Sequence, residues 1–278
     1  MKKLEFPFSK LHGTGNSFVF GDLRSPKNRD LFRKAFNKIS RKQLARQLCN
    51  PSTGIGADGL ALFENTKKGA AVKWDFYNSD GSKAEMCGNA ARCAGIYLTK
   101  GKPSKKPFHL RTGAGLVEIQ VHSMDKIEVE MTMPKGMEMN QRLSVRGNSI
   151  RYDFIDTGVP HVVIQVKNLA LNDKYRELAR VIQNHNRFSP KGTNVTFYEK
   201  TGPRSLACAS FERGVADFTR ACGTGAVAAA AIFSERSPAG IRNIKTRVPG
   251  GFLTVDLSWS HPHLTGPARW ISDFKIMS

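Results

Sequence analysis

Apolar and polar residues alternate from the start of the chain. Leu4, Phe6 and Phe8, followed by Leu11, predict a strand that ends at the turn His12-Gly13-Thr14-Gly15-Asn16. Phe18 to Leu23 reads as a second strand. Between Asp30 and Leu48 the spacing becomes helical, through Leu31, Phe32, Ala35, Phe36, Ile39, Leu44, Ala45 and Leu48. It predicts one amphipathic helix with a basic outer face. The turn from Gly54 to Gly59 feeds a short strand through Phe63, and Val72, Trp74 and Phe76 alternate into Asn78-Ser79-Asp80-Gly81. A helix follows Cys87-Gly88-Asn89 and stops near Lys100-Gly101, ahead of Pro103. Residues 108–133 read as strands, with a hairpin turn at Gly113 and Gly115.

The later half repeats this order. Tyr152 to Ile155 and Val162 to Val166 predict strands flanking Thr157-Gly158-Val159-Pro160-His161. Asp173 to Asn186 predicts a helix, Val195 to Tyr198 and Leu206 to Phe211 two strands, and a further helix follows Cys222-Gly223-Thr224-Gly225. From Ile241 onward the chain reads as strands and turns. Short strands with few helices, in no regular alternation, predict an α+β fold with antiparallel sheets. An offset of 135 residues pairs Phe76 with Phe211, Cys87 with Cys222, Gly88 with Gly223, Ala91 with Ala226 and Ala94 with Ala229. In both halves a strand leads through a polar turn into a Cys-Gly that opens an Ala-rich helix, which predicts two homologous domains. The second helix, Ala226 to Phe233, is apolar all round and is expected to be buried on every side, wrapped by its sheet.

Length agrees, since 278 residues suit about two domains at roughly 150 residues each. The apolar run Ala226 to Phe233 is the longest, far short of the ~20 residues that cross a bilayer. No apolar stretch follows Met1-Lys2-Lys3-Leu4-Glu5, so no secretory signal is expected. Five cysteines, an odd number, predict reduced thiols and a cytoplasmic protein. Charge raises a different possibility. Lys and Arg number 43 against 23 Asp and Glu, a net +20, which is large enough to suggest a nucleic-acid partner. The basic residues are nevertheless spread along the chain, without zinc-finger spacing, RNP-like strands or a basic region beside heptads. A basic surface that keeps copies apart accounts for them, and no specific nucleic acid is expected.

The two Cys-Gly helix starts carry the sharper chemistry. A thiol at a helix N-terminus meets unpaired N–H groups and the positive end of the dipole, both of which favour thiolate. Glycine beside it lets an anion approach the bare amides. With one such thiol per domain, one can take a proton from a carbon while the other gives one to its opposite face, which inverts a stereocentre. Either cysteine alone would more often be simple packing, and their equivalent placement is what raises the pair. Cys49, Cys93 and Cys208 lack that setting and read as core thiols. Zinc is not expected, because no Cys or His pair has ligand spacing. Gly223 to Ala228 fits a loose dinucleotide pattern, but no Asp or Glu follows at ribose-binding distance and no Gly-Lys-Ser/Thr closes a phosphate loop.

Six blocks then carry a resemblance: FSKLHGTGNSF (Phe8 to Phe18), GIGADGL (Gly54 to Leu60), FYNSDGSKAEMCGNAARC (Phe76 to Cys93), TGVPH (Thr157 to His161), GTNVTF (Gly192 to Phe197) and FERGVADFTRACGTGAVAA (Phe211 to Ala229). In this order, across nearly the whole chain, they resemble the diaminopimelate epimerase family. The resemblance implies two pseudo-symmetric domains, each a central helix wrapped by a mostly antiparallel sheet, with the active site in the cleft between them. Residues 1–131, with 265–278 returning, would form one domain and 132–264 the other. It further implies a cofactor-independent isomerase that exchanges L,L- and meso-diaminopimelate for lysine and peptidoglycan precursor synthesis, as a cytoplasmic homodimer with no membrane partner.

By the same resemblance Cys87 and Cys222 are the acid/base pair. Gly88, Asn89, Gly223 and Thr224 would bind the carboxylate at the reacting centre. Asn16, Asn78, Asn194 and Arg213 would hold the distal carboxylate and ammonium, and His161 and Glu212 would tune the thiols and bind nearby polar groups. Three departures stand out. Val159 takes a place where many members have Asn, Gly59 one where many have Gln, and the block from Glu212 to Thr219 is one residue longer than the familiar version. Two other functions remain open, a proline or hydroxyproline-type racemase and a basic nucleic-acid-binding protein on a relic epimerase fold.

Overall fold

The computed structural model describes residues 4–66, 71–237 and 240–277. Its chain divides into two units, one running up to Val129 and taken up again from Pro267, the other spanning Glu130–Gly266. The first contains β1 (Glu5–Gly13), β2 (Asn16–Asp22), α1 (Pro26–Ala35), α2 (Arg41–Cys49), β3 (Gly59–Asn65), β4 (Val72–Asn78), α3 (Gly88–Thr99), β5 (Phe108–Thr112), β6 (Gly115–Ser123) and β7 (Lys126–Glu130). The second contains β8 (Lys135–Val145), β9 (Asn148–Asp156), β10 (Pro160–Gln165), α4 (Asp173–Gln183), β11 (Asn194–Gly202), β12 (Ser205–Glu212), β13 (Asp217–Phe218), α5 (Gly223–Glu235), β14 (Asn243–Val248), β15 (Gly251–Asp256) and β16 (His263–Gly266). The chain then returns to the first unit as β17 (Arg269–Met277).

Strand pairing makes the internal echo concrete. From β1, the neighbours run antiparallel to β2, parallel to β3, antiparallel to β4, parallel to β5, then antiparallel to β6 and β7. From β9 the same succession passes through β10, β11, β12, β14, β15 and β16. An outer strand flanks each set, β17 on β1 and β8 on β9, both antiparallel. The α+β expectation with mostly antiparallel sheets holds.

Helices α3 and α5 occupy matching places, after β4 and after β12 with its short partner β13. Every residue of α3 from Gly88 to Ile96 is buried, and of α5 every residue from Gly225 to Ser234. Small side chains permit this, because strands can close on a helix only as tightly as its side chains allow. At Gly95 a Cβ would lie 3.1 Å from methyl carbons of Ile119, Val121 and Ile127. At Gly225 it would lie 2.0 Å from the Ser210 hydroxyl and 3.0 Å from that of Thr196. The other side of each sheet is covered too. Phe6 and Phe8 of β1 point away from α3 and meet Phe32 and Phe36 at α1, edge-on or tilted. In the second unit Tyr175 of α4 lies 4.9 Å from Phe197 of β11.

Two local expectations need correction. The single helix between Asp30 and Leu48 is two helices. Ser25 caps α1 through the Asn28 amide, Phe36 leaves helical geometry, and Ser40 starts α2 with a capping box closed by Gln43. The apolar period survives the break because Phe32, Phe36, Ile39 and Leu44 all pack into one core cluster. Strand β8 was not predicted, since it is polar and exposed over most of its length. Among the described residues no helix is long and apolar enough to cross a membrane.

Replacing Gly225 by Ala is expected to destabilise the protein by about 1–3 kcal/mol, the usual cost of overpacking. Urea unfolding would read this as a lower midpoint with unchanged slope, and a midpoint equal to wild type would refute the close contact with Ser210.

Candidate active site

In the first unit the strand register gathers several polar residues at one sheet end. Phe18 pairs with Gly59 and Gly59 with Asn78, so the start of β2, the start of β3 and the end of β4 coincide. Asp58 ties them together. Its N–H donates to the Ser17 carbonyl (2.8 Å), its Oδ2 accepts from the Ser17 N–H (2.7 Å), and its carbonyl accepts from Ser79 (3.0 Å). Thr14 and Gly15, at φ of 53° and 89°, form the two-residue turn joining β1 to β2. A β-branched residue with positive φ costs about 1–3 kcal/mol and persists only where its surroundings hold it. Gly13 brings that turn against α3, for a Cβ there would lie 3.0 Å from the Asn89 carbonyl and 3.2 Å from Cys93 Sγ.

Cys87 is the residue before α3, extended and half-buried. Gly88 and Asn89 follow it in the first turn, both buried, and Asn89 Oδ1 accepts from Arg92 at 2.8 Å. Asn16, on the adjacent hairpin, has a buried Oδ1 with no partner in the protein. Asn78 is exposed at the end of β4, its Nδ2 donating to the Ser82 hydroxyl.

The second unit repeats the plan with different chemistry. Cys222 precedes α5, and its Sγ accepts from the Gly225 N–H (3.4 Å) and lies 3.3 Å from the Thr224 hydroxyl. Thr224 in turn lies 3.0 Å from His161 Nε2. His161 Nδ1 is 2.9 Å from Thr196 Oγ1, which is 2.8 Å from Ser210. This chain of hydroxyls around a fully buried imidazole explains the space left at Gly225. Burial, with the Arg213 charge in support, lowers the His161 pKa to about 3, so the ring is neutral. Register places Asn194 beside His161, and Asn194 Oδ1 accepts from the Arg213 N–H at 3.0 Å. The Arg213 guanidinium donates to the Lys191 carbonyl. Glu212 accepts from the Thr219 hydroxyl (2.5 Å), and burial first, then the Glu212 charge, push the Cys222 thiol well above its ordinary range.

Each unit thus collects its share of the predicted residues at the N-terminus of its central helix. The first holds Cys87, Gly88 and Asn89, with Asn16 and Asn78 on the neighbouring strand ends. The second holds Cys222, Gly223 and Thr224 with His161, Asn194, Glu212 and Arg213. The offset that pairs the cysteines also pairs Asn78 with Arg213. Sequence reasoning missed Asp58, Arg92, Thr196 and Ser210 as parts of these clusters. The first three lie inside quoted blocks and Ser210 directly beside one, but only tertiary contacts reveal their partners. Burial pushes the Cys49 and Cys208 thiols up to about 12 and Cys93 higher still, as suits packing thiols. No group of three or more His, Cys, Asp or Glu able to hold a metal occurs among the described residues. What each cluster offers is a titratable thiol at the first turn of a buried helix, where the positive end of the dipole suits proton transfer next to a bound carboxylate.

Comparison with known proteins gives this chemistry a context. The family model described as diaminopimelate epimerase matches residues 8–136 and 154–271. A diaminopimelate epimerase from Aquifex aeolicus is 37% identical, over 90% of this chain and 90% of its own. One from Hydrogenobaculum sp. is 35% identical over 93% and 94%. Among solved structures, a hydroxyproline epimerase from Agrobacterium vitis has a TM-score of 0.72 at 16% identity, covering 99% of this chain and 93% of its own. A phenazine biosynthesis protein of the PhzF family from Bacillus anthracis also reaches 0.72, at 14% identity, covering 99% of each chain. At such identities these structures speak for the fold alone.

The neutral His161 makes stability depend on pH. Its pKa lies below the 6.5 of the unfolded chain, so the unfolded state takes up the proton first as pH falls. The contribution is complete above 6.5 and is lost towards 3, amounting to about 2 kcal/mol by pH 5. Urea unfolding at pH 7.5 and 5.0 is expected to show a smaller loss in His161→Gln than in wild type, and equal losses would contradict a buried neutral ring.

Proposed function

The chain belongs to the diaminopimelate epimerase family, and from that premise we propose that it interconverts L,L- and meso-diaminopimelate by a cofactor-independent exchange of the α-proton between Cys87 and Cys222. The reading places the reaction in lysine and peptidoglycan precursor synthesis, in the cytoplasm, where thiols stay reduced. It includes a homodimeric state. The observation that carries it is the pair of cysteines standing immediately before two equivalent, buried helices, α3 and α5.

One thiolate removes the α-proton and the other thiol delivers a proton to the opposite face, so the scheme requires both sulfurs to reach one carbon. The amides at Gly88 and Asn89, with those at Gly223 and Thr224, receive the α-carboxylate and stabilise the charge that spreads onto it as the proton leaves. Asn16, Asn78, Asn194 and Arg213 hold the distal ammonium and carboxylate. The unpartnered Oδ1 of Asn16 suits an ammonium. His161, being neutral, holds Thr224 in place beside Cys222 without adding a charge, and burial first, with the Glu212 charge second, pushes that thiol towards its protonated form. Asn78, Asn194 and Arg213 favour a substrate with two charged ends over proline.

Proton NMR of L,L-diaminopimelate in D₂O, with reductant and no added cofactor, is expected to show loss of the α-proton signal and growth of the meso isomer. Cys87→Ala and Cys222→Ala should each lower turnover by ~10²–10⁴-fold with the fold intact. Near-wild-type turnover in either would sink the two-thiol scheme. Exchange of proline but not of diaminopimelate would replace the substrate. Salt-dependent DNA binding without any exchange would favour the basic binding protein.

A further inference from the structure

Helix α3 carries a guanidinium where a helix tolerates one least. Arg92 is wholly buried, yet no ion pair among the described residues includes it. Its Nη2 donates to Thr14 Oγ1 (2.7 Å) and Asn89 Oδ1 (2.8 Å), with longer contacts of 3.4 Å to the carbonyls of Gly88 and Pro267. All four acceptors are neutral. The cation also lies near the N-terminus of α3, where the helix dipole adds to its charge instead of opposing it. Burial lowers its pKa to about 10, which leaves it charged at neutral pH. A buried charge without a counter-ion is costly, so an anion is called for at this helix end.

Two thiols lie within its field, Cys87 and Cys93. Cys93 is fully buried and burial keeps it protonated. The carboxylates on the strands packed against α3 have partners elsewhere: Glu5 of β1 with Lys275, Asp22 of β2 with Arg24, Glu118 of β6 with His109, and Asp273 of β17 with Ser9. On β1, burial and the charge of Arg269 lower the pKa of His12. Cys87 stands immediately before α3, next to the Gly88 carbonyl that the guanidinium contacts, and its charge would answer that of Arg92. In the second unit the 135-residue offset puts Val227, also wholly buried, at the equivalent position. There Cys222 meets the Glu212 charge and the neutral His161.

We propose that Arg92 is a positioning residue that holds Cys87 as the thiolate, and therefore as the base, of the resting protein, while Cys222 rests as the thiol. This rests on the two-thiol reading. The first turnover then moves a proton from the substrate α-carbon to Cys87 Sγ, and the Cys222 S–H gives its proton to the opposite face, leaving Cys222 as thiolate. Through Thr14 and Asn89 the same guanidinium pins the β1–β2 turn to the first turn of α3.

The test is the rate of iodoacetamide alkylation at neutral pH in the full chain, resolved for Cys87 and Cys222 by peptide mass spectrometry. In wild type Cys87 is expected to react faster. Arg92→Met should slow Cys87 by about tenfold or more, as loss of thiolate requires, and leave Cys222 unchanged. Arg92→Lys, which keeps the charge without the fork, should recover most of the Cys87 rate while raising KM for the substrate, because the β1–β2 turn is no longer pinned to α3. An unchanged Cys87 rate in Arg92→Met overturns the proposal. Should that variant fail to fold, an Arg92→Lys rate as low as that of a free model thiol, or faster reaction at Cys222 in wild type, overturns it equally. Because alkylation needs no substrate, a Cys87 rate that depends on Arg92 in a protein without epimerase activity would reject the reaction alone.

Discussion

A helix that is apolar on every side persists only if backbone closes round it, and α5 meets that demand with alanines and glycine that let β9–β12, β14 and β15 approach. Helix α3 is enclosed by its sheet in the same way, from Gly88 to Ile96, although it carries Asn89 and Arg92. Once the flanks are enclosed, the place where such a helix keeps unsatisfied backbone donors is its first turn. Everything chemical in each unit gathers there for that reason. Strand ends arrive with Asn16 and Asn78 in one unit and Asn194 and Arg213 in the other, because their registers are fixed by the sheet that encloses the helix. The tight approach also dictates side-chain size: Gly225 leaves room for the hydroxyls of Ser210 and Thr196, which in turn hold the buried imidazole.

The two copies share topology and differ in electrostatics. One helix start has a guanidinium beneath it, the other a neutral ring, hydroxyls and a carboxylate. Both arrangements are enclosed, where charges act strongly. A duplicated scaffold can therefore present the same atom, a cysteine sulfur, in two protonation preferences without altering the backbone that carries it.

Much of this was legible beforehand because it lies in local pattern. The cysteines, the glycines after them and the Ala-rich helices repeat at one offset, and turn residues bracket nearly every strand. Other features depend on contacts far apart in sequence. The break between α1 and α2 is invisible to a hydrophobic period that both helices share, and Ser40 with Gln43 was the only local sign of it. Strand β8 has too few buried positions to register as a strand. Arg92 reads as a helix-surface residue until its burial is known, and its partner Thr14 lies 78 residues away. Thr196 and Ser210 look like ordinary strand residues until the imidazole stands beside them.

The pairing of β1 with β17 has a further consequence, for the order in which the chain can assemble. Glu5 pairs with Met277 and Phe8 with Phe274, so the first unit is discontinuous and the second is inserted whole within it. During synthesis all of Glu130–Gly266 emerges before the strand that completes the earlier sheet. The inserted unit can close on itself while the first still lacks an edge, and contacts of such separation are slow to form. Phe8 and Phe274, stacked 6.0 Å apart, span a seam that cannot close before β17 has been made, and until then the hairpin bearing Asn16 belongs to an unfinished sheet.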